Sequence, residues 1–316
     1  MVTRVFFTTD LHGSEKCFLK FVNAGKFYKV NTLIMGGDIT GKMMIPIVKE
    51  PGGKLHATFL GNKWTAKNEV ELQDIQRAIR FAGYYPYLTD LDEMKRFEAD
   101  QTEVQSVIKQ LMLDNVKRWI QLAEERLRDS GMKVYITGGN DDIPEIEEII
   151  SGSNYVIDPE GKVVDVDGVY EMISTGWSNP TPWKTPRECS EEELWTKIEH
   201  MVSHVKNLGN SIFNIHVPPI NSGIDTCPEL DENLKPVIAG GEIQTKGGGS
   251  RSVRKAIETY QPLLGLHGHI HESKGFLKIG RTLCLNPGSE YSEGILRGVV
   301  VELDRGSVKN YLLTQG

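Results

Sequence analysis

The chain has 316 residues, about twice the usual size of one domain, so one large α/β domain with an insertion and two separate domains are both possible. Its composition, 39% hydrophobic and 25% charged residues, excludes a disordered, collagen-like or membrane-spanning chain. A formal net charge of −7 argues against binding to extended nucleic acid. The cysteines lie far apart, and no apolar run resembles a signal peptide or a membrane span. These features predict a cytoplasmic protein without a membrane partner.

The chain alternates short β-rich segments with helical patterns, which is typical of a βαβ architecture. Strands are predicted at residues 4–9, 32–35, 133–137, 211–215 and 263–266. Helices are predicted to follow Ser14 and Ser190, which suit N-cap positions, and to span 252–261. The C-terminal segments are predicted to form one β-meander, at 275–279, 281–285, 298–303 and 308–313.

Residues 42–130 interrupt this alternation. The apolar segments 43–48 and 55–60 flank Pro51-Gly52-Gly53, which predicts a hairpin. Helical patterns follow at 69–81 and at about 102–128, and the second helix is about 40 Å long at 1.5 Å per residue. We therefore predict a single domain, 1–316, with a mostly helical insertion or cap subdomain at about 42–130. Its long helix is predicted to be the core of the insertion or a surface for a homo-oligomer.

The residues suited to chemistry come directly after predicted strands, where open α/β sheets place their ligand sites. They are Asp10, His12, Asp38, Asn140, His216, His269 and His271. Nitrogen and oxygen donors of this kind suit Mn, Fe, Co or Zn better than Cu(I). Seven ligands with one bridging carboxylate provide four protein ligands for each of two metal ions. Such two-metal sites catalyse phosphoryl transfer.

These residues lie in sequence blocks that resemble the calcineurin-like metallophosphoesterase superfamily, in the same order along the chain. The blocks are Asp10-Leu11-His12, Gly37-Asp38, Gly139-Asn140, His216 and Gly268-His269-Ile270-His271. Three further segments are similar to the Icc-related prokaryotic phosphoesterases, namely H-x-P-P at 216–219, G-H-I-H-E-S at 268–273 and N-P-G-S at 286–289. The resemblance covers nearly the whole chain outside 42–130 and implies a four-layer α/β/β/α sandwich of two mixed sheets.

The resemblance also implies a role for each ligand. Asp10, His12 and His271 would hold one divalent ion. Asn140, His216 and His269 would hold the second, and Asp38 would bridge the two. Manganese is the expected metal, with iron, zinc or cobalt as alternatives, and a hydroxide shared by the ions would attack phosphorus in line.

The sequence departs from the family at one catalytic position. The family usually reads G-N-H-[DE], with a histidine that helps to protonate the leaving oxygen, whereas here Asp141 stands at that place and Asp142 at the acidic position. Asp141 could act as an acid only if burial or a neighbouring carboxylate raised its pKa above about 3.9. Otherwise the substrate has a good leaving group. We hypothesise a reduced dependence on acid catalysis, with Asp142 supporting the ligands.

Four further residues are candidates for substrate binding. Lys246 and Arg251 flank glycines that precede a helix, which indicates either a phosphate site or a flexible surface loop. Trp177 and Arg187 bound a proline-rich segment at 177–187. They could stack on a base and contact phosphate, or they could belong to an ordinary connection whose aromatic residues pack on the core.

The sequence thus predicts a dinuclear metal-dependent phosphoesterase that acts on a small phosphate ester, with a phosphodiester or nucleotide-type substrate preferred. A phosphomonoesterase is the alternative enzyme. A scaffold that keeps the fold but has lost catalysis is the alternative from another class. The complete ligand set argues against the scaffold, whereas Asp141 favours it.

Overall fold

The computed structural model describes residues 2–316. The elements of the N-terminal half, in chain order, are β1 (Thr3–Thr8), α1 (Glu15–Tyr28), β2 (Thr32–Gly36), β3 (Met44–Lys49), β4 (Leu55–Phe59), β5 (Asn62–Ala66), α2 (Glu69–Phe81), β6 (Tyr85–Asp90), α3 (Leu91–Ala99), α4 (Gln101–Leu127) and β7 (Lys133–Thr137). Each strand predicted in this half outside 42–130 is present within a residue or two of its expected bounds.

The C-terminal half continues the alternation and adds several short strands. Its elements are α5 (Ile146–Ser151), β8 (Val156–Ile157), β9 (Val163–Asp165), β10 (Glu171–Thr175), α6 (Glu191–Val202), β11 (Ser211–Ile215), β12 (Thr226–Pro228), β13 (Ile238–Ala239), β14 (Glu242–Ile243), β15 (Thr245–Gly247), α7 (Arg251–Tyr260), β16 (Leu264–Leu266), β17 (Gly275–Ile279), β18 (Thr282–Asn286), β19 (Arg297–Asp304) and β20 (Ser307–Gln315).

Two mixed six-stranded sheets form the body of the protein. The first has the order β20-β19-β1-β2-β7-β8 and the second the order β17-β18-β16-β11-β10-β9. In the first sheet β1, β2 and β7 are parallel neighbours, and in the second β10, β11, β16 and β18 are parallel. The carboxyl ends of these strands therefore lie at one edge of each sheet, which is where the predicted ligands follow them.

Apolar alternation along the strands explains why the two sheets stack. In β1 the side chains of Val5 and Phe7 lie in the core between the sheets, whereas Phe6 packs on the opposite side against helices. From the second sheet, Ile212 and Leu264 complete the core between the sheets. This arrangement confirms the predicted mixed sandwich at its centre.

Helices cover both outer faces. On the first sheet, Phe18 of α1 stacks on Trp119 of α4, with ring centroids 4.3 Å apart, in a core that includes Phe6. On the second sheet, α6 and α7 bury apolar residues such as Ile198 and Ile257 against β10 and β11. The order of layers is therefore helix, sheet, sheet, helix, as the resemblance implies. Within residues 2–316 no helix combines the length and the apolar character needed to cross a membrane.

The predicted C-terminal meander is wrong as a single unit. Strands β17 and β18 form a hairpin in the second sheet, whereas β19 and β20 form a hairpin in the first. The N-P-G-S segment at 286–289 lies between the two pairs and carries the chain from one sheet to the other. Strand patterns alone do not show this change of sheet, because an apolar pattern predicts that a segment is a strand but not which strand it pairs with.

Residues 42–130 contain a small sheet as well as helices. The sheet has the order β5-β4-β3-β6, and α2 packs on it through a separate apolar core. The sequence predicts β3 and β4 but not β5 or β6, because β5 is largely polar and Pro86 in β6 argues against a strand except at an edge, which is its position here.

The long helix α4 links this segment to the body of the protein. Its C-terminal half, including Trp119 and Ala123, is buried against α1 in the outer helical layer of the sandwich. The apolar face of this half of the helix is therefore part of the main core.

Candidate metal centre

The predicted ligands meet at one end of the sandwich, between the carboxyl edges of the two sheets. Asp10 and His12 follow β1, Asp38 follows β2 and Asn140 follows β7. From the second sheet, His216 follows β11, and His269 and His271 follow β16. Side chains of residues 259 positions apart, those of His12 and His271, thus come into contact.

One group of ligands surrounds Asp10 and His12. The Nε2 atoms of His12 and His271 lie 3.1 Å apart, and His271 Nε2 lies 3.4 Å from Asp10 Oδ1. The candidate ligand atoms of Asp10, His12 and His271 all lie within 4.8 Å of one another. These are the residues that the resemblance assigns to the first ion.

Asp38 lies between this group and His216. Its Oδ2 is 3.7 Å from His12 Nε2 and 3.4 Å from His216 Nε2. His216 Nε2 is also 3.7 Å from Asp10 Oδ1. Asp38 therefore contacts residues that the resemblance assigns to each of the two ions.

Asn140 and His269 form the remaining part of the cluster. Asn140 Oδ1 lies 2.7 Å from His269 Nδ1, and the backbone N–H of His269 donates to the carboxylate of Asp10. Asn140 is 3% exposed, whereas the side chain of His271 is 34% exposed, so the cluster opens to solvent on the His271 side.

The donors fit divalent cations. His216 is 1% exposed and its Nδ1 donates to the carbonyl of Gly36, yet its Nε2 has no hydrogen-bond partner among residues 2–316 and faces two carboxylates. A buried nitrogen in this condition is costly unless a further group binds it. A metal ion bound by His216 and Asp38 would satisfy both side chains.

The buried charged side chains strongly shift one another's pKa values. Burial would lower the pKa of His216, but the carboxylates of Asp38 and Asp10 raise it to about 10. Burial likewise lowers the pKa of both His12 and His269 to about 4, so each is a neutral imidazole suited to coordination. Burial would raise the pKa of Asp38, but His216 holds it far below the ordinary value. The carboxylates of Asp10 and Asp38 thus stay ionised, and their negative charge favours the binding of cations between them.

The backbone at the ligands is unusual. Four ligands have a positive φ angle, in the left-handed region that residues other than glycine rarely adopt. The angles are 56° for Asp10, 41° for His12, 49° for Asp38 and 68° for His269. Such conformations cost about 1–3 kcal/mol each and cluster at functional sites. Gly37 also has a positive φ, of 126°, and a Cβ atom at this position would collide with the ring of His216. The glycine of the Gly-Asp block is therefore required by close packing.

Asp141 lies at the edge of the cluster and forms an ion pair with Lys42. Its Oδ2 is 3.9 Å from His12 Nδ1, and its backbone N–H donates to Asp38 Oδ1 at 2.9 Å. Burial and the charge of Asp38 raise the pKa of Asp141 to about 6, against the opposing effect of Lys42. Both conditions that the sequence set for an acidic role are therefore present, but the ion pair favours the ionised form.

Asp142 lies behind the ligands and is fully buried. Its carboxylate accepts hydrogen bonds from the backbone N–H groups of Ile39, Thr40 and Gly139. These bonds turn it away from the cleft, so its geometry is that of a support for the ligand loops and not of a residue that touches substrate.

Of the four candidate substrate residues, Arg187 is buried in the protein and Trp177 is half-buried against its core. Arg187 is 0% exposed and forms ion pairs with Glu147 and Glu160, so the structure contradicts its assignment as a phosphate contact. Trp177 packs on the outer core of the second sheet, with Lys197 Nζ 4.3 Å from the centre of its ring. The proline-rich connection thus packs on the core, as the alternative interpretation predicts.

Lys246 and Arg251 are exposed, but the helix end between them is already bound. The carboxylate of Glu191 accepts from the backbone N–H groups of Arg251 and Ser252 and from the hydroxyl of Ser250. Because these are the free donors at the start of α7, the chain itself supplies the anion that the sequence assigned to a substrate phosphate. The structure therefore argues against this phosphate site.

Sequence reasoning missed two residues at the mouth of the cluster. Lys42 pairs with Asp141, and the ring of Tyr291 lies with its centroid 4.7 Å from that of His12 and 6.0 Å from that of His271. Lys42 comes four residues after Asp38, and Tyr291 follows the N-P-G-S segment closely. Proximity to these blocks was the only available signal, because neither residue belongs to a motif.

Comparison with known proteins supports the fold. No family model matches the chain. An uncharacterized protein of Methanocaldococcus jannaschii, MJ1162, is 34% identical over 158 residues, which span 49% of this chain and 64% of that protein. The solved structure of TT1561 of Thermus thermophilus is 13% identical and has a TM-score of 0.55, with 100% of this chain and 99% of that chain covered. Another solved structure has a TM-score of 0.58 at 15% identity, with the same coverage. These structures share the architecture, and at such identities the likeness concerns the fold alone.

Proposed function

We propose that this protein is a dinuclear metal-dependent phosphoesterase of the calcineurin-like metallophosphoesterase superfamily. The observation that carries the proposal is Asp38, whose buried carboxylate contacts both His12 and His216 at 3.7 and 3.4 Å. A carboxylate shared by two sets of histidines is the arrangement that a pair of divalent ions requires.

The chain would hold the ions with residues that the fold already places together. Asp10, His12 and His271 would bind one ion, Asn140, His216 and His269 would bind the other, and Asp38 would bind both; the contacts among these side chains support the assignment. Two divalent ions bound there would polarise a phosphoryl group and lower the pKa of water for attack on phosphorus. Manganese is the metal that we propose, with iron, zinc or cobalt as alternatives, since histidine and carboxylate donors suit all four.

Lys42 and Tyr291 would bind the substrate at the open side. The ammonium of Lys42 lies beside Asp141 at the mouth, where it can contact a non-bridging phosphate oxygen. The half-buried ring of Tyr291 offers an apolar face next to His12 and His271. A ring at this place supports a substrate with a base or another planar group on its ester oxygen, and hence a phosphodiester or nucleotide-type substrate.

The proposal is tested on the purified chain. Metal analysis should find up to two ions per chain, and bis(nitrophenyl) phosphate should be hydrolysed in the presence of Mn²⁺ and not after chelation. Absence of both bound metal and turnover contradicts the proposal. Faster hydrolysis of nitrophenyl phosphate than of the diester would instead identify a phosphomonoesterase.

A further inference from the structure

Asn140 is a ligand whose two side-chain ends differ in chemistry. Its Oδ1 can bind a metal ion, whereas its Nδ2 carries two hydrogens and cannot. The site therefore works only if the amide is held with its oxygen towards His269. In the structure Oδ1 lies 2.7 Å from His269 Nδ1, and Nδ2 donates to Thr185 Oγ1 at 2.8 Å.

The hydroxyl of Thr185 is itself oriented by Glu188. Thr185 Oγ1 donates to Glu188 Oε1 at 2.7 Å, and the backbone N–H of Thr185 donates to the same oxygen at 2.8 Å. Burial would raise the pKa of Glu188, but hydrogen bonds from Thr181 and Thr185 lower it below its ordinary value. An ionised carboxylate only accepts hydrogen bonds, so the single hydroxyl hydrogen of Thr185 is used by Glu188.

Because that hydrogen is used, Thr185 presents only lone pairs to Asn140. The amide must then turn its N–H group to Thr185 and its oxygen to the metal position. We propose that Thr185 is a positioning residue of the metal centre, which fixes the orientation of the Asn140 amide through the chain of hydrogen bonds from Asn140 to Thr185 and Glu188. The inference rests on the proposed metal centre.

The segment that carries Thr185 is anchored well enough to do this. The backbone N–H of Arg187 donates to the carbonyl of Asn140 at 3.0 Å, and the Arg187 side chain is fully buried between Glu147 and Glu160. Pro186 restricts the backbone of Thr185 to extended conformations. This gives a function to the proline-rich segment 177–187.

The test is calorimetric titration of chelator-treated protein with Mn²⁺ alone. Thr185→Val keeps the shape of the side chain but removes the hydroxyl, and it should weaken the binding of one of the two ions by about 10–100-fold, the usual effect of losing an outer hydrogen-bond partner. Thr185→Ser should restore wild-type binding. The matched control is Thr181→Val. Thr181 also donates a hydrogen bond to Glu188, but the Asn140 amide bonds to Thr185 and not to Thr181. It should bind both ions as the wild type does.

The possible results separate the inference from the proposed function. Wild-type affinity in Thr185→Val, or equal losses in Thr185→Val and Thr181→Val, overturns the positioning role. A wild-type chain that binds two ions but hydrolyses no phosphate ester contradicts the proposed function and leaves this inference supported by the binding data. A wild-type chain that binds no Mn²⁺ overturns both. Thermal melting of each variant shows whether a loss of binding reflects loss of the fold.

Discussion

The carboxylate of Asp142 accepts hydrogen bonds from both the backbone N–H and the hydroxyl of Thr40, 102 residues earlier in the chain. The same carboxylate accepts from the backbone N–H groups of Ile39 at 2.9 Å and Gly139 at 2.7 Å. One buried side chain thus joins the loop after β2, which carries Asp38, to the loop after β7, which carries Asn140. The distance between these two ligand loops depends on Asp142.

Replacement of Asp142 by asparagine should destabilise the protein and loosen the metal centre together. An amide has a single acceptor oxygen, so its N–H group would face backbone donors and leave some of them unpaired, at about 1–3 kcal/mol for each. We expect the free energy of unfolding in urea to fall by about 2–4 kcal/mol. Asp114→Asn, at an exposed position on α4, should change it by less than about 0.5 kcal/mol. Equal stability of the two variants would contradict the proposed support.

Asp38→Asn should remove the bridge between the metal positions. The amide is neutral and offers one oxygen, so we expect Mn²⁺ binding to fall to one ion or none per chain. Phosphodiester turnover should fall at least about 100-fold, because the bound ions contribute several kcal/mol to the transition state. Metal analysis and circular dichroism on the same sample distinguish loss of metal from loss of the fold. Two ions bound with wild-type affinity would exclude Asp38 as the bridge.

The centre of the fold could be predicted because its strands carry strong apolar patterns and its ligands follow them. Val5, Phe6 and Phe7 pack on alternate sides of one strand, as period-two geometry requires. The Gly-Asp block was informative because Gly37 is crowded by His216, so the motif reports a packing constraint as well as a ligand.

The outer parts of the site could not be predicted because they depend on contacts between distant segments. In the sequence Arg187 is suited to contact a substrate phosphate, but in the fold its side chain is buried between Glu147 and Glu160. Glu191 binds the start of α7 from a helix that is about 60 residues away in the chain. Neither pairing has a local signal, because a charged residue looks the same in sequence whether its partner is solvent, substrate or another buried side chain.

Asp141→Asn tests whether acid catalysis matters. The substitution keeps the backbone N–H that donates to Asp38 and removes the carboxyl group beside Lys42. Under the hypothesis of reduced dependence on an acid, turnover of nitrophenyl esters should persist, and the rate ratio between nitrophenyl and alkyl esters should stay close to that of the wild type. A selective loss of alkyl ester hydrolysis by about 100-fold or more would assign an acid role to Asp141. Loss of nitrophenyl ester turnover at unchanged metal content would also overturn the hypothesis.

Lys42→Ala should weaken substrate binding more than turnover. Lys42 is about half exposed, so its contact with a phosphate oxygen is screened by solvent and worth about 1 kcal/mol, or roughly fivefold in KM. The effect should shrink as salt concentration rises. Lys63→Ala, on the exposed hairpin strand β5, is the matched control and should leave KM unchanged. Equal KM values for the two variants would remove Lys42 from the substrate site.

Glu160 should make the stability of the protein depend on pH. The side chain is buried beside Arg187, and burial raises its pKa to about 7 against the opposing effect of that arginine. Between about pH 4.5 and 7 the folded chain therefore keeps a proton that the unfolded chain releases, so stability is lost as pH rises through this range.

The measurement that isolates this effect is the difference in unfolding free energy between the wild type and Glu160→Gln, taken by urea denaturation across the same pH range. Glutamine cannot ionise, so any difference in the uncharged contacts with Arg187 contributes a constant offset, and the slope reports the proton. The wild type should lose up to about 3 kcal/mol relative to the variant between pH 4.5 and 7, since one pKa unit corresponds to about 1.4 kcal/mol. Glu258→Gln, at an exposed position on α7, is the matched control. A difference that stays flat or rises with pH would mean that Glu160 is already ionised in the folded protein at pH 4.5, with Arg187 as its counter-ion.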